Sequence, residues 1–300
     1  MRFRAEVEHA NTFSRIIQSI NKLQSRCTIK FTEDEMHIIC LADANEGNVQ
    51  IWSQVRIASI FSEYRIQSNA NNNITIRLST DALLGALHSV SNPSGPLSET
   101  MIVMKLAKKS DQAVLSFEIT GFSKNGKPVR VSHDVRIEVV RPAEVDAMKE
   151  PMCPEPDVHV ILPPLSKLRT VVEKLRSLSD VIKFQANNSG KLTLSVSTDS
   201  VKMDVDWNGL SNPTYDRSTS SQSQETNPSQ TQRRDPNKKF GILVSIKSFL
   251  KFLNSYVLSS TTIACLCQNH CLILYVYIGE QADNGGVLTF FIPAMIDDDF

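Results

Sequence analysis

Apolar and polar positions along this chain fall into the same pattern four times. Each copy reads as a short strand, an amphipathic helix of about three turns, and then two or more strands. The copies begin near Met1, Asn73, Val158 and Lys239, spaced 72, 85 and 81 residues apart. A period of this length marks one supersecondary unit used repeatedly.

The helical faces are explicit. In the first helix Phe13, Ile16, Ile17, Ile20 and Leu23 recur at the spacing of one buried stripe, with Arg15, Gln18, Ser19 and Lys22 opposite. The second places Leu83, Leu84 and Leu87 inside and Asp81, Gly85 and His88 outside. The third buries Leu165, Leu168, Val171, Val172, Leu175 and Leu178, flanked by Lys167, Arg169, Lys174 and Arg176. The fourth buries Phe249, Leu250 and Leu253, with Lys247 and Lys251 one turn apart on the wet side. Thr80 is placed to cap the second helix, and Pro164 suits the first turn of the third.

Strands are predicted over 1–8, 27–31, 36–41, 49–55, around Ile60 and Phe61, and over 74–78, 101–106, 114–119 and 129–140. The order recurs with 181–186, 192–197, 201–207, 240–245, 263–267, 272–278 and 287–292. Val129, Val131, His133, Val135, Ile137 and Val139 alternate with Arg130, Ser132, Asp134, Arg136 and Glu138, the habit of an antiparallel strand with one covered face. Strands outnumber helices, so the pattern predicts two α+β domains of like topology, 1–140 and 158–300. Between them 141–157 carries four prolines and reads as an extended connector rather than a helix. Residues 208–238, rich in Ser, Thr, Gln, Asn and Pro, read as a disordered insertion.

Charge narrows the partners. With 32 basic and 32 acidic residues the chain is no bulk polycation, so nucleic-acid contact must rest on local placement of Lys and Arg. No apolar run approaches the roughly 18 residues that span a membrane. Arg2, Arg4 and Glu6 open the chain inside a strand pattern, so no signal peptide and no membrane partner is expected.

Catalytic signatures are missing: no glycine-rich phosphate loop, no G-x-S-x-G and no H-E-x-x-H occurs. His133 and Asp134 are strand neighbours that point to opposite faces, so they form no dyad. Cys265, Cys267, His270 and Cys271 cluster in ACLCQNHC, but C-x-C-x-x-H-C is not a usual structural zinc spacing. The segment reads as a hairpin turning at 268–270, with Cys265 and Cys267 on one face packed as core, so neither metal nor cofactor is expected. The acidic end Asp297, Asp298 and Asp299 reads as solvated. Ser221, Ser223, Ser229 and Thr231 each precede Gln, a modest excess in a Ser/Thr-rich segment and a candidate phosphorylation cluster beside Arg233 and Arg234. Those arginines, with Lys238 and Lys239, could serve nuclear import or simply bound a strand.

The stretch EPMCPEPDVHVILPPLSKLRTVVEKLRSLS, residues 150–179, resembles the centre of the Hus family, a subunit of the nine-one-one DNA-damage checkpoint clamp. The opening MRFRAEV with the following Ile16, Ile17 and Ile20 is similar to that family's start, and LTFFIPA at 288–294 is similar to the closing strand of sliding clamps. The resemblance implies a PCNA-like sliding-clamp fold, with helices lining a central hole and sheets forming the outer wall. It implies a non-enzymatic nuclear protein forming one third of a heterotrimer with two paralogous subunits. A loader of the replication-factor-C type would place the ring on double-stranded DNA, without sequence preference, and checkpoint and repair proteins would dock on it. Arg15, Lys22, Lys167, Arg169, Lys174, Arg176, Lys247 and Lys251 would then face DNA, although exposed Lys and Arg are also ordinary solvated residues. Subunit edges would be the strands carrying Val129, Val131 and Val135, and Val201, Val205 and Trp207. Partner peptides would dock by Leu41, Ile292, Pro293 and Ala294, beneath the connector. A homotrimeric replication clamp is the alternative within this class. A metal-dependent nuclease is the alternative outside it, disfavoured by the lack of a clustered acid set.

Overall fold

The computed structural model describes residues 1–42, 49–89, 97–123, 126–213, 235–279 and 285–295. The first half runs β1 (Arg2–Val7), α1 (Ala10–Asn21), β2 (Arg26–Phe31), β3 (Glu35–Cys40), β4 (Gln50–Arg56), β5 (Phe61–Gln67), β6 (Ile74–Ser79), α2 (Thr80–His88), β7 (Leu97–Lys109), β8 (Gln112–Ser123) and β9 (Pro128–Val139). A short helix, α3 (Pro142–Ala147), follows. The second half runs β10 (Val158–Ile161), α4 (Leu165–Leu175), β11 (Val181–Ala186), β12 (Leu192–Ser197), β13 (Lys202–Trp207), β14 (Phe240–Ser245), α5 (Ile246–Leu253), β15 (Ser259–Cys267), β16 (Cys271–Ile278) and β17 (Gly286–Pro293).

Strand pairing repeats with the sequence. In the first half β6-β2-β3-β4 and β1-β7-β8-β9 are neighbours, and in the second β14-β11-β12-β13 and β10-β15-β16-β17 repeat both orders. Every pairing is antiparallel, as the period-two alternation requires. β17 joins β4, from Gly286 opposite Val55 to Phe291 opposite Gln50, so one 13-stranded sheet passes through both halves. Gly286 (φ +125°) opens this joint, where a Cβ would lie 2.4 Å from the Gln54 carbonyl oxygen.

The helices cover the sheets and bury the stripes that define them. Phe13, Ile16, Ile17 and Ile20 of α1 are fully enclosed. Phe13 meets Phe61 at 5.7 Å, and Phe3 meets Phe31 at 4.7 Å. In the second half Phe249 sits between Phe184 and Phe252, each 5.9 Å away, and Phe252 meets Phe290 at 5.1 Å. α1 packs beside α2, α4 beside α5, and the 3-10 turn Asn254–Val257 reaches α1. No described helix is long and apolar enough to cross a membrane.

Several expectations are corrected. Ser19 is buried, its hydroxyl donating to the Ile16 carbonyl at 2.7 Å, because neighbouring helices widen the covered face of α1 beyond its apolar stripe. Leu178 is exposed because α4 ends at Leu175 and helical spacing no longer applies. Ser79, not Thr80, caps α2; Thr80 is the first helical residue, and its buried hydroxyl donates to the Gln24 carbonyl at 2.8 Å. Pro164 precedes the first turn of α4 rather than lying in it. Residues 142–147 are helical: Pro142 stands at the start, where its fixed φ suits a helix and its missing N–H costs nothing. Residues 208–213 are held in place, with Asn212 donating to the carbonyls of His159 (2.7 Å) and Asn187 (3.1 Å). Ser221, Ser223, Ser229, Thr231, Arg233, Arg234 and Asp297 to Asp299 lie outside the described residues.

Candidate functional site

Among the described residues β5, β10, β13 and β14 end their sheets, and β9 is open over part of its length; β13 and β9 are the two predicted subunit edges. β13 ends the four-stranded sheet and, among the described residues, pairs only with β12. β9 is not a terminal strand. β8 pairs with residues 128 to 136 and β6 with residues 137 to 139, leaving 128–136 without a second neighbour among the described residues. Val129, Val131 and Val135 therefore lie on the open stretch, and Val205 and Trp207 on β13, while Val201 lies one residue before β13.

Register shows which backbone groups face outward. Val140 N–H bonds the Thr75 carbonyl at 2.9 Å, so the even residues of β9 turn their bonds to the β6 side and the odd ones to β8. Thr198 N–H bonds the Val201 carbonyl at 2.9 Å, so Val201, Met203, Val205 and Trp207 bond inward to β12. The groups free to pair with another strand belong to Arg130, Ser132 and Asp134 on β9, and to Lys202, Asp204 and Asp206 on β13. The valines supply covered side chains, not the outward ladder.

Charged groups on both edges are held by neighbouring strands of the same sheet, from β7 across β8 for β9 and from the β12 side for β13. Lys109 donates to both Asp134 oxygens (2.9 and 2.7 Å) and keeps that carboxyl below the usual range. Glu118 is held low in the same sense, first by Lys105 and then by Arg130. Lys191 (2.8 Å) and the Thr193 hydroxyl (2.6 Å) donate to Asp206, lowering it.

The helix layer carries a local excess of positive charge. α1, α2, α4, α5 and their C-terminal caps hold Arg15, Lys22, Lys167, Arg169, Lys174, Arg176, Lys247 and Lys251, against the carboxylates Asp81 and Glu173. Two of the eight cations are committed elsewhere. Arg169 pairs with Glu173 at 2.8 Å, donates to Asn254 at 3.0 Å and lies 5.5 Å from the Tyr256 ring centre. Lys251 is half-buried and donates to the Leu23 carbonyl at 3.1 Å, tying α5 to the end of α1. Arg15, Lys22, Lys167, Lys174, Arg176 and Lys247 are exposed and form no ion pair with any described residue.

A hollow lies beneath the connector, lined by Ala42, Gln50, Pro151, Cys153, His270, Cys271, Phe291 and Pro293. Of the four residues expected in a docking groove, only Pro293 lines it. Ile292 is 1% exposed and packs into the main core. Leu41 is exposed outside the lining, and Ala294 is half-buried against the core. Strand alternation explains the correction: Phe290 and Ile292 face the helices, and Phe291 faces the connector.

The cysteines hold a feature the linear spacing concealed. Cys265 and Cys267 are buried in the hairpin as expected, within a small cluster that also includes Ile263, Ile273 and Phe291. Cys153 arrives from the connector, 3.2 Å from Cys271 sulfur to sulfur. Hydrogen bonding from Cys271 lowers Cys267, and the same contact raises Cys271.

Compared with known proteins, residues 1–296 match the family model of the Hus1-like protein. The chain is 33% identical over 298 residues to checkpoint protein hus1 of Schizosaccharomyces pombe, spanning 99% of this chain and all of that one. It is 26% identical over 301 residues to checkpoint protein HUS1 of Homo sapiens, spanning 98% of this chain and all of that one. Proliferating cellular nuclear antigen from Entamoeba histolytica superposes with a TM-score of 0.68 over 98% of this chain and 99% of that one, at 15% identity, a likeness of fold.

Proposed function

The chain belongs to the Hus1-like checkpoint family and has the sliding-clamp fold, and from this we propose that it is one subunit of a heterotrimeric ring that encircles double-stranded DNA at damage sites. The observation that carries the reading is internal. β4 and β13 hold equivalent places in the two repeats; β4 is flanked by β3 and β17, whereas β13 has only β12. The missing neighbour of β13 is a strand equivalent to β17, and β9 is that equivalent. A β9-type strand of the next subunit would complete β13, and the open stretch of this chain's β9 would receive a β13-type strand from the other side. Two domains, 1–140 and 158–300, are the units so joined.

The helix layer supports the DNA side of the proposal. Six exposed cations on three of the helices, without ion pairs among the described residues, are few enough to permit sliding, and no described Asn, Gln or Arg set is arranged to read bases. The protein acts without catalysis, in the nucleus. Its partners are two paralogous subunits, a loader of the replication-factor-C type, and checkpoint and repair proteins docked on the ring.

Co-expression with its paralogues and native mass measurement tests the assembly. One copy of each subunit per ring is the expected result, and a ring of three copies of this chain alone would replace the reading with a homotrimeric clamp. Loading on primed circular DNA across a salt series tests the channel. Alanine at Arg15, Lys22, Lys167, Lys174, Arg176 and Lys247 should lower the salt slope by about one per lost phosphate contact. An unchanged slope would mean that the helices do not face DNA.

A further inference from the structure

We propose that Cys153, His270 and Cys271, with Cys267 as fourth donor, form a zinc site that clips the connector to the β15–β16 turn. The connector lies along this hairpin before reaching the cluster. Asp157 N–H donates to the Leu266 carbonyl (2.8 Å), its carboxylate accepts from Gln268 N–H (3.0 Å), and the Cys267 thiol donates to the Pro154 carbonyl (3.5 Å). Backbone bonds from His270 N–H to Cys267 (3.0 Å) and from Ala294 N–H to His270 (2.9 Å) fix the turn. Segments more than a hundred residues apart in sequence are thus held in register before any ion binds.

Donor geometry fits a tetrahedral ion. Donor atoms of Cys153, His270 and Cys271 all lie within 4.8 Å of one another, and the Cys271 sulfur contacts both Cys153 (3.2 Å) and Cys267. With Zn–S near 2.3 Å and Zn–N near 2.0 Å, tetrahedral donors stand about 3.5–3.8 Å apart. The Cys153–Cys271 separation of 3.2 Å falls just under that range and the three donors share one 4.8 Å envelope; Cys267 stands outside that envelope and would swing inward as the fourth ligand. Three thiols and an imidazole are a soft Cys3His set, suited to zinc rather than to magnesium or calcium. Cys267 and Cys271 are buried, while His270 is exposed and leaves a path for the ion from solvent.

The test uses the full chain purified under reducing conditions without chelator, then incubated with zinc and desalted. Elemental analysis should find one zinc per chain, and zinc-edge X-ray absorption should show sulfur-rich ligation with one nitrogen. Cys153→Ser changes a half-buried connector residue outside the main core, so it should fold normally. It should weaken zinc affinity at least tenfold in competition with a chromophoric chelator, and His270→Ala should weaken it as well. Three results would each overturn the proposal: substoichiometric zinc in the reconstituted wild type, wild-type affinity in Cys153→Ser, or a Cys153–Cys271 disulfide in non-reducing mass spectrometry of the freshly isolated protein.

Discussion

β4 and β13 are the same strand of the repeat in two situations. β4 is closed on both sides: Ile51, Ser53 and Val55 are buried, and β17 continues the sheet beyond it. β13 presents Met203, Val205 and Trp207 in the matching alternation, yet Met203 is 45% exposed and the other two are only half-covered. The two ladders need the same thing, a second antiparallel neighbour, and the chain supplies it once. The difference teaches that the fold is locally unfinished at β13 and at the open stretch of β9, while the β4–β17 joint shows what finishes it. Both open edges keep charged residues on their wet faces, which limits indiscriminate pairing.

The largest effect should come from removing an outward donor. Ser132→Pro on β9 and Asp204→Pro on β13 each delete an N–H that no described strand of the chain uses, so the subunit should stay folded. Each should weaken binding of one partner subunit at least 100-fold, about 2.7 kcal/mol, measured by pull-down and sedimentation of the reconstituted complex. In a heterotrimer the two variants should lose different partners. Loss of the same partner by both, or normal assembly by either, would break the correspondence between the open edges and the closed joint. Val205→Pro is the contrast: it removes a bond to β12 and should loosen the sheet itself.

Next comes the closed joint. Gly286→Val would place a Cβ 2.4 Å from the Gln54 carbonyl oxygen and 2.8 Å from the Val55 Cα, at a φ of +125° that L residues rarely adopt. Strain of this kind costs about 1–3 kcal/mol. The unfolding temperature should fall by several degrees, and amide exchange should quicken in β4 and β17 before it does in β11 and β12. Uniform exchange across all four strands would mean that the joint is not a separable element.

How far these features can be read from sequence follows the physics of each signal. Helix faces were legible because 3.6-residue spacing encodes burial directly, as in Phe13, Ile16, Ile17 and Ile20. The fourfold repeat was legible for the same reason. Strand neighbours were not: period two gives the two faces of β9 but not whether β6 or another chain lies beside it. Ile292 reads as groove but is core, because 288–292 is apolar at all but Thr289 and buried on both faces, so no alternation distinguishes the two. The connector helix was missed because proline both ends and begins helices. Cys153 was not grouped with the hairpin cysteines because it lies 114 residues before Cys267, and only the path of the connector brings them together.

A smaller effect separates two lysines one turn apart on α5. Lys251 bridges the halves through the Leu23 carbonyl, whereas Lys247 is exposed without an ion pair among the described residues. Lys251→Ala should cost about 1 kcal/mol of stability and leave the salt dependence of DNA retention unchanged. Lys247→Ala should do the reverse, lowering the salt slope by about one with no change in unfolding temperature. Matching behaviour of the two would remove the distinction between a cation that holds the halves together and one that faces DNA.

The smallest effect concerns acid and the open edges. Lys109 holds the Asp134 carboxyl below its unfolded value, so the folded protein binds that proton less readily than the unfolded chain. The pair's contribution is therefore full above the ordinary carboxylate range and disappears as pH falls through the lowered value. A third of the Asp134 side chain is exposed, so screening leaves only a few tenths of a kcal/mol. Lys191 and Thr193 act on Asp206 of β13 in the same direction, so both open edges carry the same acid sensitivity. Among the described residues the β4–β17 ladder pairs no carboxylate with a cation. Hydrogen exchange corrected for intrinsic rate should show β9 and β13 opening relative to β4 and β17 as pH falls below about 4. Asp134→Asn should flatten that response in β9 and leave it in β13. Equal pH dependence in all four strands would mean that these pairs do not hold the edges.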